Sequence, residues 1–353
     1  MQLMLPAFST SSNDMIKKWE TMTSNAGSCE VDVWSYLQQL SADGISRAAF
    51  GSSYEEGRRI FELISEQIFV AIPVINAVYI PGWRFVPTKA NRKIMQIDRE
   101  IQTLLKGIIQ KRKKAINNGE KAKDDLLGIL LQSNTHENHD EHDKNHGLTL
   151  EEVIRECKIF YMAGRGPTAV LLTWTLILLG KHQDWQARAR EEVLAMFGKS
   201  NPNFQGLNHL KIMNMILQEV LRLYPAVTQL TRMVHKDIKV GDIFLPAGVM
   251  VNLPILLVQQ DEKLWGANAK EFNPERFNKG ISKATEGNMS FFSFGWGPRI
   301  CIGSNFAMLE AKMALALILQ RFSFELSPSY THAPSGLGTL QPQFGAYIIL
   351  HRL

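Results

Sequence analysis

From Thr149 to Lys181 the sequence keeps one helical pattern for some 33 residues, and from Ala169 to Leu179 it is apolar nearly all round. A helix without a polar face has to be buried, so this stretch should run through the centre of the fold. Its start is marked by Thr149-Leu-Glu-Glu152, a capping box in which hydroxyl and carboxylate satisfy orphan backbone N–H groups reciprocally. The pattern is broken once, at Gly164-Arg165-Gly166-Pro167, because proline removes a helical N–H and clashes with the carbonyl of Ala163.

The remaining elements are mostly helical by the same criterion. Asn13 can cap a segment running toward Asn25. Val31 to Phe50 carries apolar residues at helical spacing. A further helix runs from Tyr54 through Ile72, where Pro73 ends it. Lys89 to Asn117 is long and charged, and Asp124 to Gln132 is short. After the central helix come Asp184 to Phe197 and Leu207 to Leu223, the second stopped by Tyr224-Pro225. Thr231 to Val240 alternates, turns at Gly241-Asp242 and pairs back through Ile243-Phe244-Leu245, forming a small sheet. A last helix, Ser304 to Arg321, places Phe306, Leu309, Met313 and Leu317 on one stripe, and residues 322–353 read as short strands. The expected fold class is mostly α with a small β part, as one domain over 1–353. Within it, residues 133–147 are a polar loop. His136, His139, His142 and His146 lie there with nothing to orient them as metal ligands.

Composition narrows the function classes. A net charge of +5 is too small and scattered to argue for nucleic acid, and suits an acidic partner or anionic lipid. Cys29, Cys157 and Cys301 are odd in number and far apart, which fits neither a disulfide framework nor a zinc ribbon and suits a reducing compartment. The N-terminus lacks the basic and apolar regions of a signal peptide, and no window reaches 18 clean apolar residues.

Residues 294–303 read FGWGPRICIG. Gly295 and Gly297 let the backbone fold tightly and turn N–H groups toward the sulfur of Cys301, and the helix beyond adds a positive dipole end. Together these favour a thiolate. Gly303, lacking a Cβ, lets a flat group approach, and Arg299 supplies a nearby cation. Read alone, the loop also suits a buried structural cysteine in a turn.

The spacing F-G-x-G-x-R-x-C-x-G resembles the haem-binding loop of the cytochrome P-450 haem-thiolate monooxygenases. Six fixed positions in ten residues arise by chance on the order of 10⁻⁸ per window. The resemblance implies that Cys301 is the proximal iron ligand, that Arg299 pairs with a haem propionate, and that Phe294, Gly295 and Gly303 shape the cradle. A thiolate ligand favours O–O cleavage. Glu219-Val-Leu-Arg222 is similar to the family's E-x-x-R pair, and Pro274-Glu275-Arg276-Phe277 to its P-E-R-F segment. By resemblance Glu219, Arg222 and Arg276 form a buried network bracing the loop; taken alone, such a pair is usually a surface bridge. Arg232 matches a second propionate-binding arginine, or is an ordinary strand residue. Phe160, Tyr161, Ala226, Val227 and Leu337 match positions lining the substrate pocket. Stretches such as EVLRLYP and DIFLPAGV look most like the plant clan that includes secologanin synthase, whose members oxidise terpenoids.

The resemblance covers essentially the whole chain. It implies haem b, electrons from NADPH through NADPH–cytochrome P-450 reductase, and a small apolar substrate. It also implies contact with the cytosolic face of the endoplasmic reticulum membrane. Phe69 to Phe85, with its prolines and Trp83, looks like the family's membrane-dipping connection or a packed core loop. Lys111-Arg-Lys-Lys114 reads as a solvated helix face, or more sharply as a lipid headgroup contact. The family's anchor helix, first sheet strands and first helices have no counterpart after Met1, so the match reads as an N-terminally truncated form. The family pattern A-G-x-[E/D]-T-[T/S] appears here as Ala163-Gly164-Arg165-Gly166-Pro167-Thr168: glycine replaces the acid, proline replaces the alcohol, and Thr168 alone is retained. The resemblance therefore implies a monooxygenase with an impaired proton relay. A haem-thiolate isomerase or dehydratase, and a non-catalytic product, are the alternatives.

Overall fold

The computed structural model describes residues 1–24, 26–75, 82, 85–118, 125–132 and 148–353. The 133–147 loop, Trp83 and Asn25 lie outside the described residues. The chain divides into two compact units. One, bearing every described strand, comprises Met1–Gln2, Ser12–Leu37 and Pro167–Leu353; the other, helical, comprises Leu3–Ser11 and Gln38–Gly166.

The helices in chain order begin with α1 (Leu5–Thr23), α2 (Val33–Phe50), α3 (Tyr54–Ile75), α4 (Lys89–Asn117), α5 (Leu126–Gln132) and α6 (Leu150–Lys181). They continue with α7 (Gln183–Phe197), α8 (Phe204–His209), α9 (Lys211–Leu223), α10 (Ile255–Gln259), α11 (Glu262–Trp265), α12 (Ile281–Ala284) and α13 (Ser304–Arg321).

In the helical unit, α4 buries Ile97, Ile101, Leu105 and Ile109, one every four residues, as the amphipathic spacing requires, and packs along α3. Thr88 caps α4 by accepting from Asn91 N at 3.1 Å, and Asp125 caps α5 by accepting from Gly128 N at 2.8 Å. Tyr161 is wholly buried here, stacked on Phe50 at 4.3 Å and edge-on to Phe61 at 4.9 Å. Gly164 permits close packing: a Cβ there would lie 2.5 Å from Ile45.

The strands are β1 (Ser28–Asp32), β2 (Leu230–Met233), β3 (Ile238–Val240), β4 (Ile243–Leu245), β5 (Met250–Leu253), β6 (Phe322–Leu326), β7 (Pro334–Leu337), β8 (Thr339–Pro342) and β9 (Tyr347–Arg352). β9 lies between β1 and β6, antiparallel to both, with Cys29 opposite Leu350. In this unit α13 is buried on every side from Leu309 to Leu319, and α6 from Thr168 to Gly180, as its all-round apolar sequence predicts. Trp174 on α6 donates to Leu340 O at 2.7 Å. Among the described residues α6 is the one helix long and apolar enough to cross a membrane, and 67% of its apolar window is buried, as in a core helix.

Several expectations are corrected. Asn13 sits within α1 rather than capping it. Val31 belongs to β1, because β9 supplies a distant partner strand. Pro73 lies inside the last turn of α3 rather than after the helix. The stretch 207–223 is two helices parted at Leu210, whose backbone is extended (φ −68°, ψ 93°). There the Glu192 side chain accepts from Ile212 N at 2.7 Å and Met213 N at 3.0 Å, capping α9 from another helix. β3 pairs with β4 as read, whereas β2 pairs with β5. Finally, α6 runs unbroken through Pro167. Ser41 Oγ donates to Gly164 O at 3.0 Å beside the missing bond, and the close approach of Ile45 holds the turn.

Candidate functional site

The loop before α13 is folded on itself by its own backbone. Gly295 N donates to Phe292 O at 2.8 Å, Ile300 N to Gly297 O at 3.1 Å, and Cys301 N to Phe294 O at 2.8 Å. Gly295 and Gly297 have φ of +76° and +70°, the left-handed region that side chains with a Cβ resist. Gly303 caps α13, its carbonyl accepting from Ala307 N at 2.9 Å. The thiol of Cys301 is exposed, which removes the buried structural reading. Cys157, by contrast, is buried and its thiol is pushed up to about 12 by desolvation, which keeps it inert.

Behind the loop lies a charged knot. Glu219 and Arg222 on α9 are fully buried and joined by two bonds of 2.7 Å. Arg222 also donates to Gln259 O at 2.8 Å, Ala269 O at 2.5 Å and Glu271 O at 3.2 Å. Glu219 accepts from Asn273 N at 2.9 Å, and Arg276 Nε stands 3.5 Å from it. Arg276 spends its other nitrogens on Trp265 O at 3.0 Å and on Asn268. The pair is thus a buried network rather than a surface bridge.

Gln259, at the end of α10, is a residue that the sequence reading passed over. Its fully buried amide donates to Leu221 O at 3.0 Å and Arg222 O at 3.1 Å, and accepts from Phe292 N and Ser293 Oγ, both at 3.0 Å. With Ser293 Oγ, which donates to Leu221 O at 2.8 Å, it links the knot to the cysteine loop. No motif flags it, because its partners are mostly backbone atoms far away in sequence.

The family model for cytochrome P-450 matches residues 1–344. The chain belongs to the cytochrome P-450 family. It is 58% identical over 351 residues to a cytochrome P-450 of Panax ginseng, covering 99% of this chain and 68% of that protein. Identity is also 58% to the 11-oxo-beta-amyrin 30-oxidase of Glycyrrhiza uralensis, over 99% of this chain and 67% of that protein. It is 55% to the enzyme of the same name from Medicago truncatula, over 100% and 67%. The chain therefore spans about two thirds of the length of these plant relatives. As a cytochrome P-450 it is a monooxygenase that uses haem b and takes electrons from NADPH through a reductase.

The residues present fit that group. A Cβ on Gly303 would lie 3.8 Å from the Cys301 sulfur, so its absence leaves the thiol's flank open. Trp296, Ile300 and Ile302 of the same loop stand more than half exposed, offering apolar surface to a flat apolar ring. Among the described residues neither Arg299 nor Arg232 is paired with an acid; Arg232 Nη1 donates to Thr231 O at 3.0 Å.

The other expected residues are placed as follows. Thr168 is buried on α6, and its hydroxyl makes no back-bond, whereas Thr173 and Thr175 each donate to the carbonyl four residues earlier at 2.7 Å. Ala226 is buried and its carbonyl accepts from Leu340 N at 3.0 Å; Val227 is half-buried beside it. Leu337 is on β7, its side chain outside the described set. Phe160 and Tyr161 belong to the helical unit, where Tyr161 is enclosed by aromatic neighbours.

Proposed function

We propose that the whole chain serves one catalytic domain in which Cys301 would hold the haem iron as its thiolate ligand and the oxidised substrate is a terpenoid-like small molecule. One observation carries this reading: the exposed thiol of Cys301 at the N-terminal end of α13, in a loop tied to a fully buried charge network. Arg299 and Arg232, neither paired with an acid among the described residues, are the cations for the propionates, and Phe294, Gly295 and Gly303 form the cradle. A thiolate-ligated haem supplies the activation of O₂ that inserts one oxygen atom into a C–H bond.

The protein's own part is to hold the sulfur and to deliver protons. Glu219, Arg222, Arg276 and Gln259 do the first. For the second, Gly166 and Pro167 carry no group that can hold a proton, and Thr168 has the remaining hydroxyl. We therefore infer that oxygen reduction is poorly coupled to product. The substrate class rests on two relatives named for oxidation of a β-amyrin derivative. Contact with the cytosolic face of the endoplasmic reticulum membrane is part of the same reading and rests on family resemblance.

The test is the carbon monoxide difference spectrum of the reduced, haem-loaded chain, followed by NADPH consumption with reductase and a β-amyrin-type triterpenoid. A red-shifted thiolate Soret band with triterpenoid oxidation supports the proposal. A thiolate band with product formed and no NADPH consumed would favour the isomerase or dehydratase reading, which needs no relay. Absence of the band would favour a non-catalytic protein.

A further inference from the structure

Behind the cysteine loop, in the strand-bearing unit, lies a cavity of about 480 Å³ walled by Phe204, Phe291, Phe294 and Leu309 and lined also by Lys312 and Gln218. Lys312 lies within the run of α13 that is buried on every side, and is 8% exposed. Among the described residues its ammonium has neither a hydrogen-bond nor an ion-pair partner. Glu192 is the acid that acts on it, but that carboxylate is spent on the N–H groups of Ile212 and Met213. Burial pushes the Lys312 ammonium down, and Glu192 offsets this only in part. A buried charge normally has a partner, since an unpaired one is costly. Gln218 lines the same cavity, and its amide carries N–H donors.

We propose that this cavity binds a small carboxylate with an apolar tail, the carboxylate meeting Lys312 and Gln218 and the tail lying along the aromatic wall. The volume falls within the usual range for small-molecule pockets, and the lining combines apolar walls with a few polar groups, as such sites do. Charge complementarity selects the anion, and the phenylalanines select the tail over a bare ion. Phe294 belongs to both structures, since its carbonyl accepts from Cys301 N, so an occupant borders the cysteine loop without touching the sulfur's open flank. The site stands on Lys312 and is independent of the assignment of the haem ligand.

The experiment is calorimetric titration of the haem-loaded chain with octanoate, octanol and inorganic phosphate, with the Soret band read in parallel to detect binding beside the haem. Octanoate should bind at least about tenfold more tightly than either control, one charge-assisted contact being worth about that factor. Lys312→Met should abolish that preference with an unchanged or raised melting temperature, because it removes an unpaired buried cation. Gln218→Leu should weaken octanoate several-fold, and carries the test if the Met variant does not fold. Octanoate bound equally by the variant and the parent, phosphate bound as well as octanoate, or no octanoate binding would each overturn the proposal.

Discussion

Cys301 could be read from sequence because its chemistry depends on a local spacing, and the loop that carries it is folded by bonds between residues 292 and 304. Gln259 could not, since its role exists only once α9, α10 and the loop have met. The two lead to different expectations. Cys301→Ser replaces a soft ligand by a hard one and should remove the thiolate Soret band while the far-ultraviolet dichroism is kept. Gln259→Leu keeps the packing but leaves the Phe292 N–H and the Arg222 carbonyl without partners, while Ser293 Oγ keeps its 2.8 Å bond to Leu221 O. Each such loss costs about 1–3 kcal/mol. The expected result is a faster loss of the thiolate band in mild denaturant than of helical signal, with Gln259→His, which can still donate or accept, partly restoring it. Equal rates for the two signals would reduce Gln259 to ordinary core. Arg222→Ala strands the Glu219 carboxylate at zero exposure and should cost about 3–5 kcal/mol, read as a lowered denaturation midpoint and little haem incorporation.

At the scale of elements, helices set by their own periodicity were legible to the residue: α4 and α13 run as expected, Lys89–Asn117 and Ser304–Arg321. Elements set by a distant partner were not. β1 exists because β9 pairs with it, and the break at Leu210 exists because Glu192 caps α9 from α7. The start of α6 is a local case that was legible. Glu152 accepts from Thr149 N at 2.8 Å while Thr149 Oγ1 accepts from Glu152 N at 3.3 Å. These bonds from the Thr149 N–H and hydroxyl hold the Glu152 carboxyl below the usual carboxylate range. Its contribution is therefore present above the unfolded carboxylate value and lost as pH falls through the lower folded value. The hydrogen-exchange protection factor in the first turn of α6 should fall in Thr149→Ala at neutral pH, and in the parent only under acid conditions. Further along α6, Pro167 lies inside the helix, where a proline costs about 3 kcal/mol. Pro167→Ala should accordingly stabilise the chain in a urea titration, by up to about that figure.

For the molecule as a whole, the family and its haem chemistry were legible because motifs from residue 219 to residue 303 occur in the right order. The division into two compact units was not, since its boundaries fall inside α1, α2 and α6, where no linker composition marks them. One of those boundaries is Gly166–Pro167, the place where the sequence departs from the family's acid and alcohol. The proposed coupling of oxygen reduction to product turns on that departure. The O₂ activation that a haem held here would supply consumes protons, and a positioned acid–base group contributes typically about 10²–10⁴-fold to a proton transfer. With glycine and proline there, the hydroxyl of Thr168, buried and without a back-bond, is the group left on that turn to hold a proton. The chain should then consume NADPH faster than it forms product, the difference appearing as peroxide. Gly166→Glu combined with Pro167→Thr should raise product per NADPH and lower peroxide, and Thr168→Ala in the parent should remove whatever coupling remains. Tight coupling in the parent, unmoved by the double change, would shift the delivery of protons to substrate hydroxyls and water, and with it the reason for tolerating a proline in a helix that is buried from Thr168 to Gly180.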